Sequence, residues 1–381
     1  MQLQSRLPDS GSTIFSIMSA LATKSNAINL GQGFPDFESD PKLLSLVSKH
    51  LNEGKNQYCP MAGLPALRKT LSEKIERCYQ RTIDPETELC ITAGATQAIF
   101  TAVQAFVMPG DEVIILEPAY DCHKPAVLIA GGIVKPYQMR YPDYAIDWDE
   151  INEMISDKTR MIIINTPHNP TGTLMGKNDM EALENTVAGK NIVVLSDEVY
   201  EHLIYDEQEH QSVLRFPELY QQSLAVYSFG KTLHTTGWKI GYVVGPEPLM
   251  NEFKKIHQWN VFCVNSFLQF AIADYLKAPS TYETLHAFYQ QKRDHLTHLL
   301  SETPLKASLS KGTYFQLYSY DQVNDMDDVS FAKYLTTEIG VAAIPVSPFY
   351  SEPTGDKVIR LCFAKKEKTL EAAAERLSQL S

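Results

Sequence analysis

Between about residue 88 and residue 245, the chain alternates short apolar runs with segments in which apolar residues recur at helical spacing. After the first run, for example, Ile99, Val103 and Phe106 fall on one face of a helix. The runs lack the polar–apolar alternation of a half-exposed strand, which indicates strands covered by helices on both faces. The predicted strands are residues 89–92, 113–116, 161–164, 192–195, 224–227 and 241–244. We therefore predict an α/β fold whose large domain has a mostly parallel central sheet sandwiched by helices.

Both ends of the chain differ from this central pattern. Residues 31–37, GQGFPDF, indicate an irregular loop. Beyond about residue 275, a long polar helix is followed by short strands near 313–317 and 358–363, and residues 368–380 have the periodicity of an amphipathic helix. We predict that residues 41–275 form the large domain and that residues 1–40 and 276–381 together form a smaller α+β domain.

The composition excludes several classes of protein. Hydrophobic residues make up 44% and charged residues 21% of the 381 residues, which is typical of a globular chain. Lys and Arg number 34 against 46 Asp and Glu, so the net charge is −12, and nucleic acid or an anionic membrane would repel such a surface on average. No apolar run reaches the ~20 residues of a membrane span, and the N-terminus lacks a signal-peptide pattern. We expect a cytoplasmic protein that binds neither nucleic acid nor membrane.

The spacing of cysteine and histidine argues against metal and thiol chemistry. The six cysteines are scattered and none belongs to a C-x-x-C pair, so we expect reduced thiols and no metal site. Cys122 and His123 are adjacent, but neighbouring side chains usually point apart, which argues against a catalytic Cys–His pair.

Candidate functional residues follow the predicted strands, because ligands of open α/β sheets bind outside the carboxyl ends of the strands. The first strand is followed by a small-residue turn, AGATQ at 93–97, whose free backbone amides suit a phosphate group. Each residue at the other strand ends has an ordinary structural explanation when it is taken alone, such as an Asx turn or a solvated lysine. Those ends provide an aromatic ring, an amide, a carboxylate, a phenol and two amines, on Tyr120, Asn169, Asp197, Tyr200, Lys231 and Lys239.

One ligand uses the whole set. Pyridoxal 5′-phosphate needs a lysine for a Schiff base, an anion site, a carboxylate for its ring nitrogen, donors for its phenolic oxygen and an aromatic ring to stack on it. A nicotinamide dinucleotide would need G-x-G-x-x-G, whereas GQG at 31–33 lacks the third glycine, and the nucleotide motif G-x-x-x-x-G-K-[ST] is absent. The residues therefore predict pyridoxal 5′-phosphate as the cofactor.

The stretches NTPHNPTG (165–172), SDEVY (196–200) and SFGK…GWKIG (228–241) resemble those of class I and II aminotransferases of fold type I. The resemblance covers nearly the whole chain. LGQGFPDF (30–37) and EPAYDC (117–122) are similar, more narrowly, to the kynurenine/glutamine branch and to bacterial methionine aminotransferases. The resemblance implies an enzyme, a pyridoxal-phosphate-dependent transaminase.

The resemblance implies a role for each matching residue. Lys231 forms the Schiff base and moves the proton, Asp197 keeps the pyridine nitrogen protonated, and Arg360 grips the substrate carboxylate as a bidentate fork. Cations near Lys231 are expected to depress the pKa of its amine. The residues implied to hold the cofactor are Ala95, Thr96, Tyr120, Asn169, Asp197, Tyr200, Ser228, Lys231 and Lys239, with the partner subunit's Tyr58. The residues implied to contact the substrate are Gly33, Asn169, Arg360, Phe15 and Phe262.

Two departures from the family pattern bear on the ligands. Lys239 stands where many relatives have arginine, and lysine binds phosphate as a point charge instead of a fork. No second arginine is placed to receive a dicarboxylate side chain, and the candidate pocket residues are aromatic. The sequence therefore predicts that methionine or an aromatic or other neutral amino acid gives its amino group to a 2-oxo acid.

Two other functions remain open from the sequence. A pyridoxal-phosphate-dependent C–S β-lyase acting on cysteine conjugates would share every cofactor contact. A regulator that senses the cofactor would carry a DNA-binding domain in front of the sheet domain. Fewer than ~40 residues stand there, which is too few for an independent hydrophobic core, so this function is the less favoured of the two. If the partner subunit's Tyr58 reaches the phosphate, the resemblance also implies a homodimer with shared active sites.

Overall fold

The computed structural model describes residues 3–8, 11–352 and 354–380. The strands are β1 (Ile28–Asn29), β2 (Leu89–Thr92), β3 (Glu112–Glu117), β4 (Ile133–Gln138), β5 (Thr159–Asn165), β6 (Val193–Asp197), β7 (Ser223–Ser228), β8 (Gly241–Val244), β9 (Lys306–Ser308), β10 (Phe315–Ser319), β11 (Val341–Ala342), β12 (Ile344–Pro345) and β13 (Val358–Cys362). The helices are α1 (Ile14–Lys24), α2 (Pro41–Asn52), α3 (Pro65–Tyr79), α4 (Ala95–Phe106), α5 (His123–Ala130), α6 (Trp148–Met154), α7 (Lys177–Val187), α8 (Pro217–Tyr220), α9 (Phe229–Thr232), α10 (Glu247–Asn260), α11 (Ser266–Tyr275), α12 (Ser280–Glu283), α13 (Leu285–Leu299), α14 (Asp328–Tyr334) and α15 (Glu367–Leu377). In the part of the chain that the structure describes, no helix has both the length and the hydropathy to cross a membrane.

The central sheet contains seven strands in the order β2-β8-β7-β6-β5-β3-β4. All adjacent pairs are parallel except those of β8, which runs antiparallel to β2 and to β7. The connection between β7 and β8 contains only the short helix α9 and a 3₁₀ turn at Thr236–Trp238, so the chain does not return to the opposite end of the sheet before β8 begins. The prediction of a mostly parallel central sheet is confirmed, with β8 as its antiparallel member.

Both faces of this sheet are buried. Along β3, Val113 and Ile115 pack in one apolar cluster with residues of α4, α5 and α10, whereas Ile114 and Leu116 pack in a second cluster on the other face. Consecutive residues of a strand point to opposite faces, so an apolar run without alternation fits a strand between two helical layers. The α/β sandwich is therefore confirmed.

The edge strand β4 was not among the predicted strands. Its residues are mostly exposed or half-buried, and Lys135, Pro136 and Gln138 interrupt its apolar pattern. This edge strand is covered less completely than the central ones, so it carries no continuous apolar run that the sequence would reveal, whereas the other edge strand, β2, is buried throughout.

A smaller four-stranded antiparallel sheet, in the order β12-β13-β10-β9, follows the central sheet. Near the N-terminus, β1 pairs in parallel with β11, so Ile28 lies opposite Val341 and the two chain ends meet. The predicted C-terminal helix is present as α15, which packs against α13. This arrangement supports a small domain built from both chain ends, while the boundaries at 40/41 and 275/276 stay a prediction.

Candidate active site

A cavity of about 220 Å³ opens at the carboxyl ends of the central strands. The last residues of β5, β6 and β7, which are Asn165, Asp197 and Ser228, all line it. The N-terminal segment and the smaller sheet close its other side. The residues proposed from the sequence that line the cavity are Phe15, Gly33, Ala95, Thr96, Tyr120, Asn169, Asp197, Tyr200, Ser228, Lys231, Lys239 and Arg360. Their individual roles stay predictions.

Asn165 holds the ends of two neighbouring strands in place, although the sequence did not single it out. It lies opposite Asp197 in the register of β5 and β6, and its Nδ2 donates to the Asp197 backbone oxygen at 2.8 Å. Its Oδ1 accepts from the backbone N–H of Asn169 at 2.8 Å. The amide of Asn165 thereby fixes the loop that carries Asn169 next to the carboxylate of Asp197.

His123 is a second residue that the sequence did not place in the site. It begins α5, is buried, and its Nε2 lies 3.6 Å from Oδ2 of Asp197. The rings of His123 and Tyr120 meet edge to face with their centroids 5.9 Å apart. His123 therefore packs behind both Asp197 and Tyr120. Tyr120 is three residues before His123 and its backbone oxygen accepts from the backbone N–H of His123, whereas the approach of His123 to Asp197 depends on the tertiary fold.

Desolvation by the surrounding protein lowers the pKa of the Lys231 amine to about 8. The cations of Arg360 and Lys239 act in the same direction, but their effect is smaller than that of burial. The pKa of Lys231 is therefore lowered, as the sequence led us to expect, but the main cause is burial and not the neighbouring cations. The Nζ of Lys231 donates to the phenol oxygen of Tyr314 at 2.8 Å.

Arg360 lies on β13 with its guanidinium buried in the cavity wall. Its Nη1 donates to Oδ1 of Asn169 at 2.7 Å, and its Nη2 donates to the backbone oxygen of Gly31 at 3.0 Å. The guanidinium carbon lies 3.7 Å from the centre of the Phe315 ring. Burial lowers the pKa of Arg360 to about 10, so the group is cationic at neutral pH. Its Nε is buried and has no hydrogen-bond partner among the described residues.

The start of α4 forms another part of the cavity wall, which we call the anion cradle because its geometry suits an anion. Gly94 precedes the helix with φ of 80° and provides no side-chain cap, so the first backbone amides of α4 are free to bind an anion. Ala95, Thr96, Ser228 and Lys239 surround this point. The backbone of Gly241 packs closely against this point, because a Cβ on Gly241 would lie 2.4 Å from the Tyr227 backbone oxygen and 3.3 Å from the Ala95 nitrogen.

Tyr58 and Phe262 do not line the cavity of their own chain. The Tyr58 side chain is 81% exposed and Phe262 is 48% exposed, and their rings meet edge to face at 5.3 Å. Phe262 lies just after the end of α10, which leaves its ring on the outer surface. Any contact of these two residues with an active site therefore requires a second subunit, and their roles stay predictions.

Comparisons with known proteins agree with this geometry. The family profile described as "Aminotransferase class I and II" matches residues 25–377. The chain is 49% identical to methionine aminotransferase of Escherichia coli K12 over 99% of its length and 98% of that protein. It is 34% identical to kynurenine–oxoglutarate transaminase 1 of Rattus norvegicus over 94% of this chain and 93% of that protein.

The solved structures agree as well. The structure of YbdL from Escherichia coli, whose reactivity identifies a methionine aminotransferase function, superposes with a TM-score of 0.98 at 49% identity and covers 100% of both chains. N-succinyldiaminopimelate aminotransferase of Mycobacterium tuberculosis superposes with a TM-score of 0.96 at 35% identity, again over 100% of both chains. None of the relatives named here is a lyase or a regulator. The chain, an enzyme of fold type I, belongs to the class I and II aminotransferases.

Proposed function

We propose that this aminotransferase uses pyridoxal 5′-phosphate to transfer the amino group of methionine, or of an aromatic or related neutral amino acid, to a 2-oxo acid. The observation that carries the proposal is the convergence of an amine, a carboxylate and a guanidinium, those of Lys231, Asp197 and Arg360, on one cavity. The methionine and kynurenine activities named for the relatives support this choice of donors.

The donors in the cavity fit the cofactor at each of its polar groups. The amides that begin α4, with Ser228 and Lys239, suit the phosphate, and the Gly241 backbone leaves the cradle no room for a side chain. At the other end, the carboxylate of Asp197 suits a protonated ring nitrogen. Asn169 and Tyr200 would hold the phenolic oxygen, and Tyr120 would stack on the ring. When bound, pyridoxal phosphate supplies an electron-withdrawing ring that makes the proton on the substrate Cα acidic.

The chain's own residues bind and orient the amino acid and move its proton. The Arg360 guanidinium is cationic and buried, and its Nε lacks a partner, so a substrate carboxylate would complete its interactions. Anchoring the carboxylate fixes the direction of the Cα–H bond. With a pKa of about 8, about a tenth of Lys231 is unprotonated at pH 7, far more than at the usual lysine pKa of 10.5. The unprotonated amine is able to accept the proton from the substrate Cα and then to donate it to a different atom of the bound ligands.

The charges of the cavity favour a donor with an uncharged side chain. Among the described residues that line it, the cations are Lys231, Lys239 and Arg360. If Lys239 pairs with the phosphate, Arg360 pairs with the substrate α-carboxylate and Lys231 moves the proton, no cation is left for a second carboxylate. Phe15 lies beside Arg360, with its ring centre 5.1 Å from the guanidinium carbon, and offers an apolar contact instead. We therefore infer a preference for methionine and aromatic donors over aspartate and glutamate.

We propose that the working unit is a homodimer in which each active site is formed by both subunits. We also propose that the enzyme is cytoplasmic. Tyr58, which is 81% exposed, and Trp259, which is 84% exposed, place large apolar side chains on the outer surface. A second subunit would cover them and receive Tyr58 at its own phosphate site. All six cysteines are free thiols, in keeping with a reducing compartment.

The proposal is tested by recording the visible absorption of the purified protein loaded with pyridoxal 5′-phosphate. Methionine is expected to remove the cofactor's band, and a 2-oxo acid is expected to restore it. Aspartate, added at the same concentration, is the matched control and is expected to act at least about 100-fold more slowly, since its second carboxylate finds no cation. Release of pyruvate and ammonia from a cysteine conjugate without any 2-oxo acid would instead identify a lyase.

A further inference from the structure

Tyr314 contacts the amine of Lys231 directly, although neither the sequence pattern nor the proposed chemistry assigns it a role. Its phenol oxygen accepts a hydrogen bond from Lys231 Nζ at 2.8 Å. The same hydroxyl donates to the backbone oxygen of Gly33 at 2.5 Å. One side chain next to β10 therefore joins the lysine that follows β7 to the N-terminal loop on the substrate side of the cavity.

The position of this phenol is fixed by its surroundings. Tyr314 is fully buried, and its ring contacts the rings of Tyr200 and Tyr289 with centroid separations of 5.2 and 5.9 Å. Gly33 itself packs closely on the Phe315 ring, because a Cβ there would lie 2.5 Å from that ring. Burial raises the pKa of the Tyr314 phenol well above its usual range, so the hydroxyl keeps its proton. With that proton donated to Gly33, an oxygen lone pair is left for Lys231.

We propose that Tyr314 is a positioning residue that receives the ε-amine of Lys231 whenever this amine is not bonded to the cofactor. The inference rests on the proposed function, in which Lys231 leaves the cofactor when a substrate amine replaces it and later returns. A lysine amine on a four-carbon stem has many rotamers, and a rigid acceptor selects the one that keeps the amine beside the reacting atoms.

The other groups that face Lys231 do not provide the same anchor. They are Tyr200, Asp197, Lys239, Arg360 and Cys362, which come from the loop after β6, the end of β6, the turn before β8, and β13. Among the described residues, Tyr314 is the one that makes a hydrogen bond to Nζ. A phenol oxygen that accepts from the amine favours its protonated form, because the ammonium group has more N–H donors and a full charge.

The test compares Tyr314→Phe with Tyr289→Phe. Phenylalanine keeps the ring of Tyr314 and removes only the oxygen that contacts Lys231. Tyr289 is the matched control, because it is also fully buried and packs on Tyr314, but its phenol oxygen has no hydrogen-bond partner among the described residues. In cofactor-free protein, the rate of pyridoxal 5′-phosphate capture is followed by absorbance as a function of pH. With loaded enzyme, kcat and KM for methionine are measured.

In Tyr314→Phe, the midpoint of the capture profile is expected to move down by about one pH unit, since the ammonium form loses a hydrogen-bond acceptor. We expect kcat to fall about tenfold and KM for methionine to change by less than about twofold. Tyr289→Phe should match the wild type in the midpoint of the capture profile, in kcat and in KM for methionine. Equal behaviour of the two variants would overturn the inference. A wild type without methionine transamination would contradict the proposed function instead, while the capture profile would still test Tyr314.

A structure of the wild-type protein with pyridoxamine 5′-phosphate gives a test that does not depend on any variant folding. Lys231 is free in that complex. Its Nζ is expected within hydrogen-bond distance of the Tyr314 phenol oxygen, about 3 Å. A Lys231 side chain that points elsewhere, with Tyr314 bound to Gly33 alone, would refute the positioning role.

Discussion

The Nη1 of Arg360 donates to Oδ1 of Asn169 at 2.7 Å, which joins the smaller antiparallel sheet to the loop after β5 across the cavity. Arg360 comes from β13, whereas Asn169 is anchored to the central sheet through Asn165. The amide oxygen thus orients the guanidinium without neutralising its charge. In the proposed function the same pair would contact both ligands, Asn169 the cofactor and Arg360 the substrate carboxylate.

Replacing Arg360 with lysine is expected to weaken substrate binding and leave cofactor binding nearly unchanged. Lysine keeps the positive charge but loses the planar fork that binds a carboxylate through two parallel hydrogen bonds. A lost charge-assisted hydrogen bond is worth about 1.5–3 kcal/mol, so KM for methionine should rise by about 10- to 100-fold. Steady-state kinetics measures the change, and the cofactor's absorption band serves as the internal control. An unchanged KM would exclude Arg360 from carboxylate binding.

Lys231→Ala is expected to abolish amino transfer while the chain still folds. The alanine variant lacks the amine that bonds the cofactor and moves the proton, so the rate should fall by on the order of 10⁴-fold or more. Kinetics with methionine and circular dichroism check activity and fold. Lys255→Ala is the control, since the Lys255 side chain is 66% exposed on α10 and, within the described part of the chain, pairs with Glu252 alone. A Lys231→Ala protein with residual turnover near that of Lys255→Ala would rule out Lys231 as the essential amine.

The pKa of Lys231 predicts how the cofactor-free protein responds to pH. Burial lowers this pKa from 10.5 to about 8, and only the unprotonated amine attacks the cofactor's aldehyde. Below pH 8, the capture rate should rise about tenfold for each pH unit, and above pH 8 it should level off. Stopped-flow absorbance between pH 6 and 10 measures the profile. A midpoint near 10.5 would mean that the surrounding protein does not desolvate the amine.

Shared active sites predict that two inactive variants rescue each other. In a mixed dimer of Lys231→Ala with Tyr58→Ala, one site lacks both side chains and the other site has both. Random exchange of subunits should therefore restore up to about a quarter of the wild-type activity. Activity is measured before and after the two proteins are mixed under conditions that allow subunits to exchange. Trp259→Ala mixed with Lys231→Ala shows whether a general change of the exposed surface gives the same result.

No gain on mixing, with exchange verified by a mass difference between the subunits, would contradict a shared site. A monomeric mass in solution together with full activity would contradict the homodimer itself. Either result would leave the cavity residues of the single chain as the complete active site.

The sequence predicted the central sheet well because its strands are buried on both faces. Their apolar runs are continuous, and the polar residues at their ends, such as Asp197 and Ser228, come at fixed points after each run. β4 escaped prediction because it is an edge strand with polar and exposed residues, whereas the other edge strand, β2, is buried throughout and was predicted. The direction of β8 depends on how the chain turns after Lys231, and strand direction leaves no periodic signal in the sequence.

The candidate site likewise has features that local sequence predicted and features that only the tertiary structure reveals. The order of strand-end residues and the motifs around Asn169, Asp197 and Lys231 indicated the class of enzyme and predicted the cofactor, since each motif is local and its chemistry follows from residue type. Tertiary structure alone brought the Tyr314 phenol to the amine of Lys231 and to the backbone of Gly33, and His123 to Asp197. These contacts join residues far apart in the chain. They depend on packing between elements, which no local pattern of side chains encodes.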